Sequence, residues 1–208
     1  MDAPRYPLLS VARLRMGIDG AGVNTLVAGA GCPLHCRWCI NKRLLAEAQA
    51  EPVGAEELLR RVKIDDLYFR ATGGGVTFGG GEALLHAAFI RQFKTLCPAE
   101  WTIRAETSLA VNPSLVRMAA ECVDEFIVDC KDTDETVYRA YTGGDGSLML
   151  ENLQLLHSLV APERILVRVP LIPGYNTAEH QSRSVERLRL LGLTRFDLFS
   201  YVMREPGP

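Results

Sequence analysis

Three segments of this chain share an alternation that restricts its fold more than any single residue does. In "WTIRAET" (101–107), Trp101, Ile103 and Ala105 fall on one side of an extended backbone while Arg104 and Glu106 fall on the other, because strand side chains alternate with period two. In "EFIVDCK" (125–131), Phe126, Val128 and Cys130 share a face, and Asp129 and Lys131 point the opposite way beside Ile127. In "ILVRVPLI" (165–172), Ile165, Val167 and Val169 alternate with Leu166, Arg168 and Pro170. Strands covered by helices on both sides read as nearly continuous apolar runs; these do not. They predict a curved sheet or partial barrel whose convex side packs on helices and whose concave side gathers Arg104, Glu106, Asp129, Lys131 and Arg168 around a ligand. The competing explanation is a set of salt bridges inside a small barrel.

"VNTLVAG" from Val23, "GVTFGG" from Gly75 and "RFDLFSYV" from Arg195 bring the predicted strands to six. Between them, apolar residues recur at helical spacing: Leu85, Ala88, Phe89 and Phe93; Leu148, Leu155, Leu156 and Leu159; Leu188 and Leu191. Asn112-Pro113, Ser147 and Thr177 offer N-caps, and Gly143-Gly144 and Gly192 suit chain reversals. Repeated βα units imply a parallel sheet. Its chemically informative residues gather at the C-terminal strand ends, the rim where parallel barrels carry their active sites.

At 208 residues the chain fits a single domain. With 48% apolar and 23% charged residues it reads as a soluble globular protein, not a disordered one. Lys and Arg number 23 against 25 Asp and Glu, so there is no basic field to hold a nucleic acid backbone or an anionic bilayer. The longest uncharged run, Gly20 to Cys36, is too short and too polar to span a membrane. The N-terminal stretch has no basic region followed by an apolar core, so a cytoplasmic location is expected.

The six cysteines are too sparse for a disulfide scaffold, and clustered thiols in such a chain point to metal or catalysis. Cys97, Cys122 and Cys130 are scattered and read as structural. Cys32, Cys36 and Cys39 lie together in "GCPLHCRWCIN" at C-x3-C-x2-C spacing. Structural zinc takes four protein ligands, and a 4Fe-4S cube is held by four thiolates as a rule; three leave one metal position open for a substrate. Cys3His zinc is the alternative, with His35 or a distant histidine as fourth ligand, although His35 directly precedes Cys36 and is poorly placed to close the same tetrahedron. The second signal, "GGGVTFGGGE" (73–82), is neither a dinucleotide fingerprint nor a P-loop. Glycines at a strand end allow a ligand to approach the backbone closely.

Cys32-x3-Cys36-x-Trp38-Cys39 followed by "VTFGGGE" closely resembles the radical S-adenosylmethionine (SAM) superfamily. "DGAGVN" (19–24), "CIN" (39–41), "VDCK" (128–131), "YTGG" (141–144), "LENLQLL" (150–156) and "RVPLIPGYN" (168–176) resemble its branch of glycyl-radical-enzyme activating enzymes, typified by the pyruvate formate-lyase activator. The resemblance implies a partial (β/α)6 barrel forming one minimal radical SAM core over 1–208, without a ferredoxin-like insertion. It implies that Cys32, Cys36 and Cys39 hold a 4Fe-4S cluster whose fourth iron is chelated by SAM. Trp38 and Ile40 would touch the adenosine. Gly80 and Gly81 would receive the methionine amino group, and Lys131 and Arg168 would face the SAM carboxylate and ribose side, with Asp134 nearby. Glu106 is counted with the SAM-binding residues, and Glu106, Thr107 and Asp129 match the place where the pyruvate formate-lyase activator holds a monovalent cation. The implied partners are a glycyl radical enzyme as protein substrate and a flavodoxin- or ferredoxin-type electron donor.

Several residues depart from the family pattern: "CIN" stands for "CHN", "GGGEA" with Gly79 and Ala83 for "SGGEP", "DGAG" for "DGPG", and Val202 beside Tyr201 for a SAM-contacting histidine. The sequence also ends at Pro208, soon after the last predicted strand, without the terminal helical segment common in the family. These departures bear on the target more than on SAM. A radical SAM reaction on a peptide or small molecule, and a non-catalytic zinc or iron-sulfur module, are the rival readings.

Overall fold

A computed structural model describes residues 3–202 of the chain. Its strands are β1 (Tyr6–Met16), β2 (Val23–Gly29), β3 (Glu51–Val53), β4 (Gly75–Gly80), β5 (Thr102–Thr107), β6 (Glu125–Asp129), β7 (Ile165–Leu171) and β8 (Arg195–Ser200). Its helices are α1 (Lys42–Glu47), α2 (Ala55–Val62), α3 (Asp66–Thr72), α4 (Ala87–Leu96), α5 (Pro113–Ala120), α6 (Glu135–Thr142), α7 (Gly146–Leu159) and α8 (Ala178–Leu190). The sheet runs β3-β1-β2-β4-β5-β6-β7-β8. From β2 to β8 every pairing is parallel, so the six expected strands form the α/β partial barrel in chain order. Antiparallel β1 and β3 extend the sheet beyond β2, and the sheet stays open between β3 and β8.

The dry strand faces pack outward onto helices. Val27, Phe78, Ile103, Ala105, Phe126, Val128 and Val167 join one core with Phe89 and Phe93 of α4, Val116 of α5, Leu153 and Leu156 of α7 and Leu188 of α8. Two helical stripes are rotated from the sequence expectation. On α4 the buried positions are Ala87, Phe89, Ile90 and Phe93, with Ala88 exposed, and Leu85, also exposed, lies in the turn before the helix. On α7 they are Met149, Asn152, Leu153 and Leu156, while Leu159 is exposed. The polar Asn152 disguises that stripe: its amide is buried because it donates to the carbonyls of Leu109 (2.8 Å) and Val111 (2.7 Å), which satisfies a loop the core must cover.

Side-chain caps fix the starts of α5 to α8. Asn112 caps α5 ahead of Pro113, and Thr177 caps α8, as the sequence suggests. For α7 the cap is Asp145, not Ser147: its carboxylate accepts from the amides of Ser147 and Leu148, and an ionised acceptor suits a helix N-terminus. Gly143 ends α6 in the left-handed conformation.

Arg104 lies elsewhere than expected. It is fully buried and bonds Glu125 of β6 and the side-chain oxygen of Asn24, both at 2.5 Å. The Asn24 amide in turn donates to carbonyls of Ala21 and Gly22, both at 3.2 Å. Arg104 therefore braces the β1–β2 turn instead of joining the charges at the C-terminal rim.

Candidate functional site

The cysteine loop joins β2 to α1 and has little regular structure, so its shape is set from outside. Two of its amides bond carbonyls in the last turn of α6: His35 to Thr142 (2.8 Å) and Arg37 to Tyr141 (3.1 Å). Those carbonyls belong to the helix end that lacks intrahelical partners. Leu34 is buried against the following Gly144, where a Cβ would collide with its Cδ2 atom. At the far end of the loop, the Asn41 side chain donates to the carbonyl of Gly80 (2.8 Å).

The loop forms one wall of a cavity of about 600 Å³ at the C-terminal ends of the barrel strands. Cys32, Cys36, Cys39, Trp38 and Ile40 line it from the loop, Gly80 and Gly81 from the end of β4, and Glu106, Thr107, Asp129, Lys131 and Arg168 from the ends of β5, β6 and β7. The structure thus brings together every predicted site residue except Arg104 and Asp134. Trp38 and Ile40 are 43% and 93% exposed, so they stand at the mouth. Asp134 is the N-cap of α6, accepting from the amides of Thr136 (2.9 Å) and Val137 (3.2 Å), and it faces away from the cavity. Its carboxylate is kept below the usual range by those amides.

The charges on the concave wall are paired. Lys131 Nζ lies 3.1 Å from Asp129 and 3.1 Å from the Tyr201 hydroxyl. Burial works to lower its pKa, but Asp129 and Tyr201 outweigh burial and hold the ammonium well above its ordinary value. Arg168 bonds Glu106 (2.8 Å), lies 3.6 Å from Asp197 and donates to the carbonyl of Ile18 in the β1–β2 turn. Burial pushes Glu106 upward, against the pull of Arg168.

Glu82, quoted within "GGGE" but given no role, anchors the cavity wall. Fully buried, it accepts from the Leu84 amide (3.1 Å), the Thr107 hydroxyl (2.6 Å), and the Ser108 amide (2.8 Å) and hydroxyl (2.6 Å). It thereby ties the end of β4 to the end of β5. Asn41, Tyr141 and Tyr201 are further lining residues without a sequence-assigned role. The signal for Asn41 and Glu82 was present, since each stands in a quoted motif beside a candidate ligand; Tyr141 opens the quoted "YTGG" with no candidate ligand beside it, and Tyr201 looks like an ordinary core aromatic.

The cysteines suit a cluster better than a single ion. Zinc bonded to sulfur at about 2.3 Å holds its thiolates roughly 3.8 Å apart. Among the described residues no group of three or more Cys, His, Asp or Glu side chains is placed to hold a single metal ion. A cube, binding each thiolate to a different iron, wants three sulfurs spread around one cavity wall, and Cys32, Cys36 and Cys39 are all free thiols on such a wall. His35 is exposed and does not line the cavity. Burial pushes the Cys36 thiol up to about 11, with Lys131 opposing it. The expected monovalent-cation group fits less well: Glu106 faces Arg168, Asp129 faces Lys131, and the Thr107 hydroxyl donates to Glu82.

A family model described as the radical SAM superfamily matches residues 26–182. The pyruvate formate-lyase 2-activating enzyme of Escherichia coli (strain K12) is 31% identical, over 88% of this chain and 73% of that protein. The isethionate sulfite-lyase activating enzyme of Oleidesulfovibrio alaskensis is 26% identical, over 88% and 79%. Among solved structures, Streptococcus suis SuiB bound to S-adenosylmethionine superposes with a TM-score of 0.65 at 13% identity, over 84% of this chain and 39% of that one. Hexahistidine-tagged anSMEcpe with bound AdoMet gives 0.59 at 16%, over 83% and 47%. The chain spans less than half of either solved chain, and at these identities the likeness is one of fold. Among the described residues, no helix is long and apolar enough to cross a membrane.

Proposed function

The chain belongs to the radical SAM superfamily, and from that premise we propose that it activates a glycyl radical enzyme. When bound, a 4Fe-4S cluster and SAM would supply the hard chemistry, reductive cleavage of the sulfonium and removal of hydrogen from a glycine Cα of the partner. The chain's own residues hold and orient. Cys32, Cys36 and Cys39 would ligate the cluster, Gly80 and Gly81 would take the amino group of SAM, Lys131 and Arg168 would take its anionic and ribose side, and Trp38 and Ile40 would flank the adenosine at the mouth. The sheet is not closed between β3 and β8, and on this reading the glycine-bearing backbone of the partner enters there.

The observation carrying this proposal is the convergence of three free thiols, a buried and a partly buried cation and a glycine-lined strand end on one cavity. The names of the matched relatives, activating enzymes for lyases, support the choice of target. We further place the protein in the cytoplasm, with a flavodoxin- or ferredoxin-type reductant and no nucleic acid partner. Val202, exposed at the cavity mouth, favours the second reading, a radical SAM reaction on a peptide or small molecule.

Anaerobic reconstitution should give about four irons per chain and reductive release of 5'-deoxyadenosine from SAM. A glycyl-radical EPR signal should then arise in a candidate partner only when SAM, reductant and this protein are all present. SAM cleavage with no such signal in any partner selects the second reading. One zinc per chain, or an inert cluster, selects a binding module.

A further inference from the structure

One buried polar group in the cavity wall is left without a hydrogen bond by the described residues. Tyr141, in the last turn of α6, is 1% exposed, yet its hydroxyl has no hydrogen-bond partner among the described residues. Leaving a buried hydroxyl unpaired costs stability unless a ligand completes it. Its ring is fixed edge-on against Tyr175 (centroids 5.1 Å apart) and tilted against Tyr201 (6.3 Å). Burial, and then the charge of and a hydrogen-bond approach to the neighbouring Tyr201 phenol, push its pKa far up, yet by distance and angle the Tyr141 hydroxyl meets no hydrogen-bond partner among the described residues. The residue lines the cavity beside Cys36, Lys131 and Tyr201. Its own backbone carbonyl holds the Arg37 amide, so phenol and cysteine loop are rigidly coupled.

The chemistry of this corner is one-sided. An ammonium has three donors; Lys131 uses them toward Asp129 and Tyr201, which leaves capacity for one more acceptor. The Tyr141 hydroxyl adds a second donor. Two donors beside a cluster-bearing cysteine match a two-oxygen anion. Of the groups on SAM, which carries a sulfonium, an ammonium, ribose hydroxyls, adenine and a carboxylate, only the carboxylate is anionic. Resting on the proposal that SAM fills this cavity, we infer that the Tyr141 phenol and the Lys131 ammonium together grip the SAM carboxylate, making Tyr141 a binding residue for the cofactor.

The test compares Tyr141→Phe with the unsubstituted protein, both reconstituted anaerobically, by calorimetric titration with SAM and with decarboxylated SAM. Loss of a hydrogen bond to a charged group should weaken SAM binding about tenfold or more, while the affinity for decarboxylated SAM stays the same. Melting of the ligand-free Tyr141→Phe protein should occur at an equal or higher temperature, because an unpaired buried hydroxyl has been removed. A lower melting temperature would mean that the hydroxyl serves the protein and not the ligand, and would overturn the inference. Equal weakening toward both ligands would move the phenol to the nucleoside side and overturn it as well. So would unchanged SAM affinity with a shifted cluster potential, which would place the phenol on the Cys36 sulfur. Failure of the unsubstituted protein to bind SAM sinks the proposed function together with this inference, whereas normal SAM binding by Tyr141→Phe sinks the inference alone.

Discussion

Replacing Glu82 by glutamine probes the joint between β4 and β5 in a way that yields both a size and a sign. The two backbone donors that Glu82 serves, Leu84 N–H and Ser108 N–H, approach different carboxyl oxygens and cannot turn away, whereas the Thr107 and Ser108 hydroxyls can rotate. A protonated carboxyl keeps two oxygens that accept. Glutamine keeps one, so one buried backbone N–H loses its acceptor, at about 1–3 kcal/mol. Burial raises the pKa of Glu82, and its four hydrogen bonds only partly offset this. A carboxyl raised on folding contributes stability that is fully present below its unfolded pKa and lost as pH rises through the folded one. The advantage of the unsubstituted protein over Glu82→Gln is therefore greatest at the acid end, near the ordinary value of 4.5, and shrinks toward neutrality. Glu106, also raised, is common to both proteins and cancels in the difference. Urea denaturation of the cluster-free proteins at pH values from about 4.5 to 8 measures that gap. A gap that widens with pH would show the hydrogen bonds outweighing burial and would refute the reasoning.

Gly144→Ala should displace Leu34 and with it the cysteine loop, lowering the iron retained after reconstitution while the secondary structure by circular dichroism stays intact. Asp134→Ala should cost about 1 kcal/mol through the lost α6 cap, seen as a lower Tm, with SAM affinity unchanged because the residue lies outside the cavity. Lys131→Ala leaves Asp129 without its cation and should weaken SAM binding at least tenfold in calorimetric titration; retained affinity would count against the assignment of that wall.

The six barrel strands were legible because each repeats a period-two pattern or ends in a glycine-rich turn. β1 was not. Its register is interrupted between Leu8 and Ser10 and again between Ala12 and Arg15, and Leu14 lies at a positive φ of 55°. Bulges of this kind add residues to one strand and destroy the alternation a reader looks for. β3 is only three residues long and contains Pro52, which cannot donate to a ladder. In the site, residues with a local motif line one cavity, while Asp134 caps α6 and lies outside it, since proximity in sequence to Lys131 says nothing about the direction a capping side chain takes. Tyr141 and Glu82 act through burial and unmet or fully met hydrogen bonding, which depends on segments far apart in the chain.

The dependence of the cysteine loop on the end of α6 has a consequence for how the protein is made. Its three thiols leave the ribosome about a hundred residues before Tyr141 and Thr142, whose carbonyls fix the loop's backbone. Until that helix has emerged and docked, the nascent chain offers metal only a slack tether of sulfhydryls. Iron-sulfur loading is therefore expected to follow the docking of α6, and a chain cut short before α6 should fail to retain iron after reconstitution.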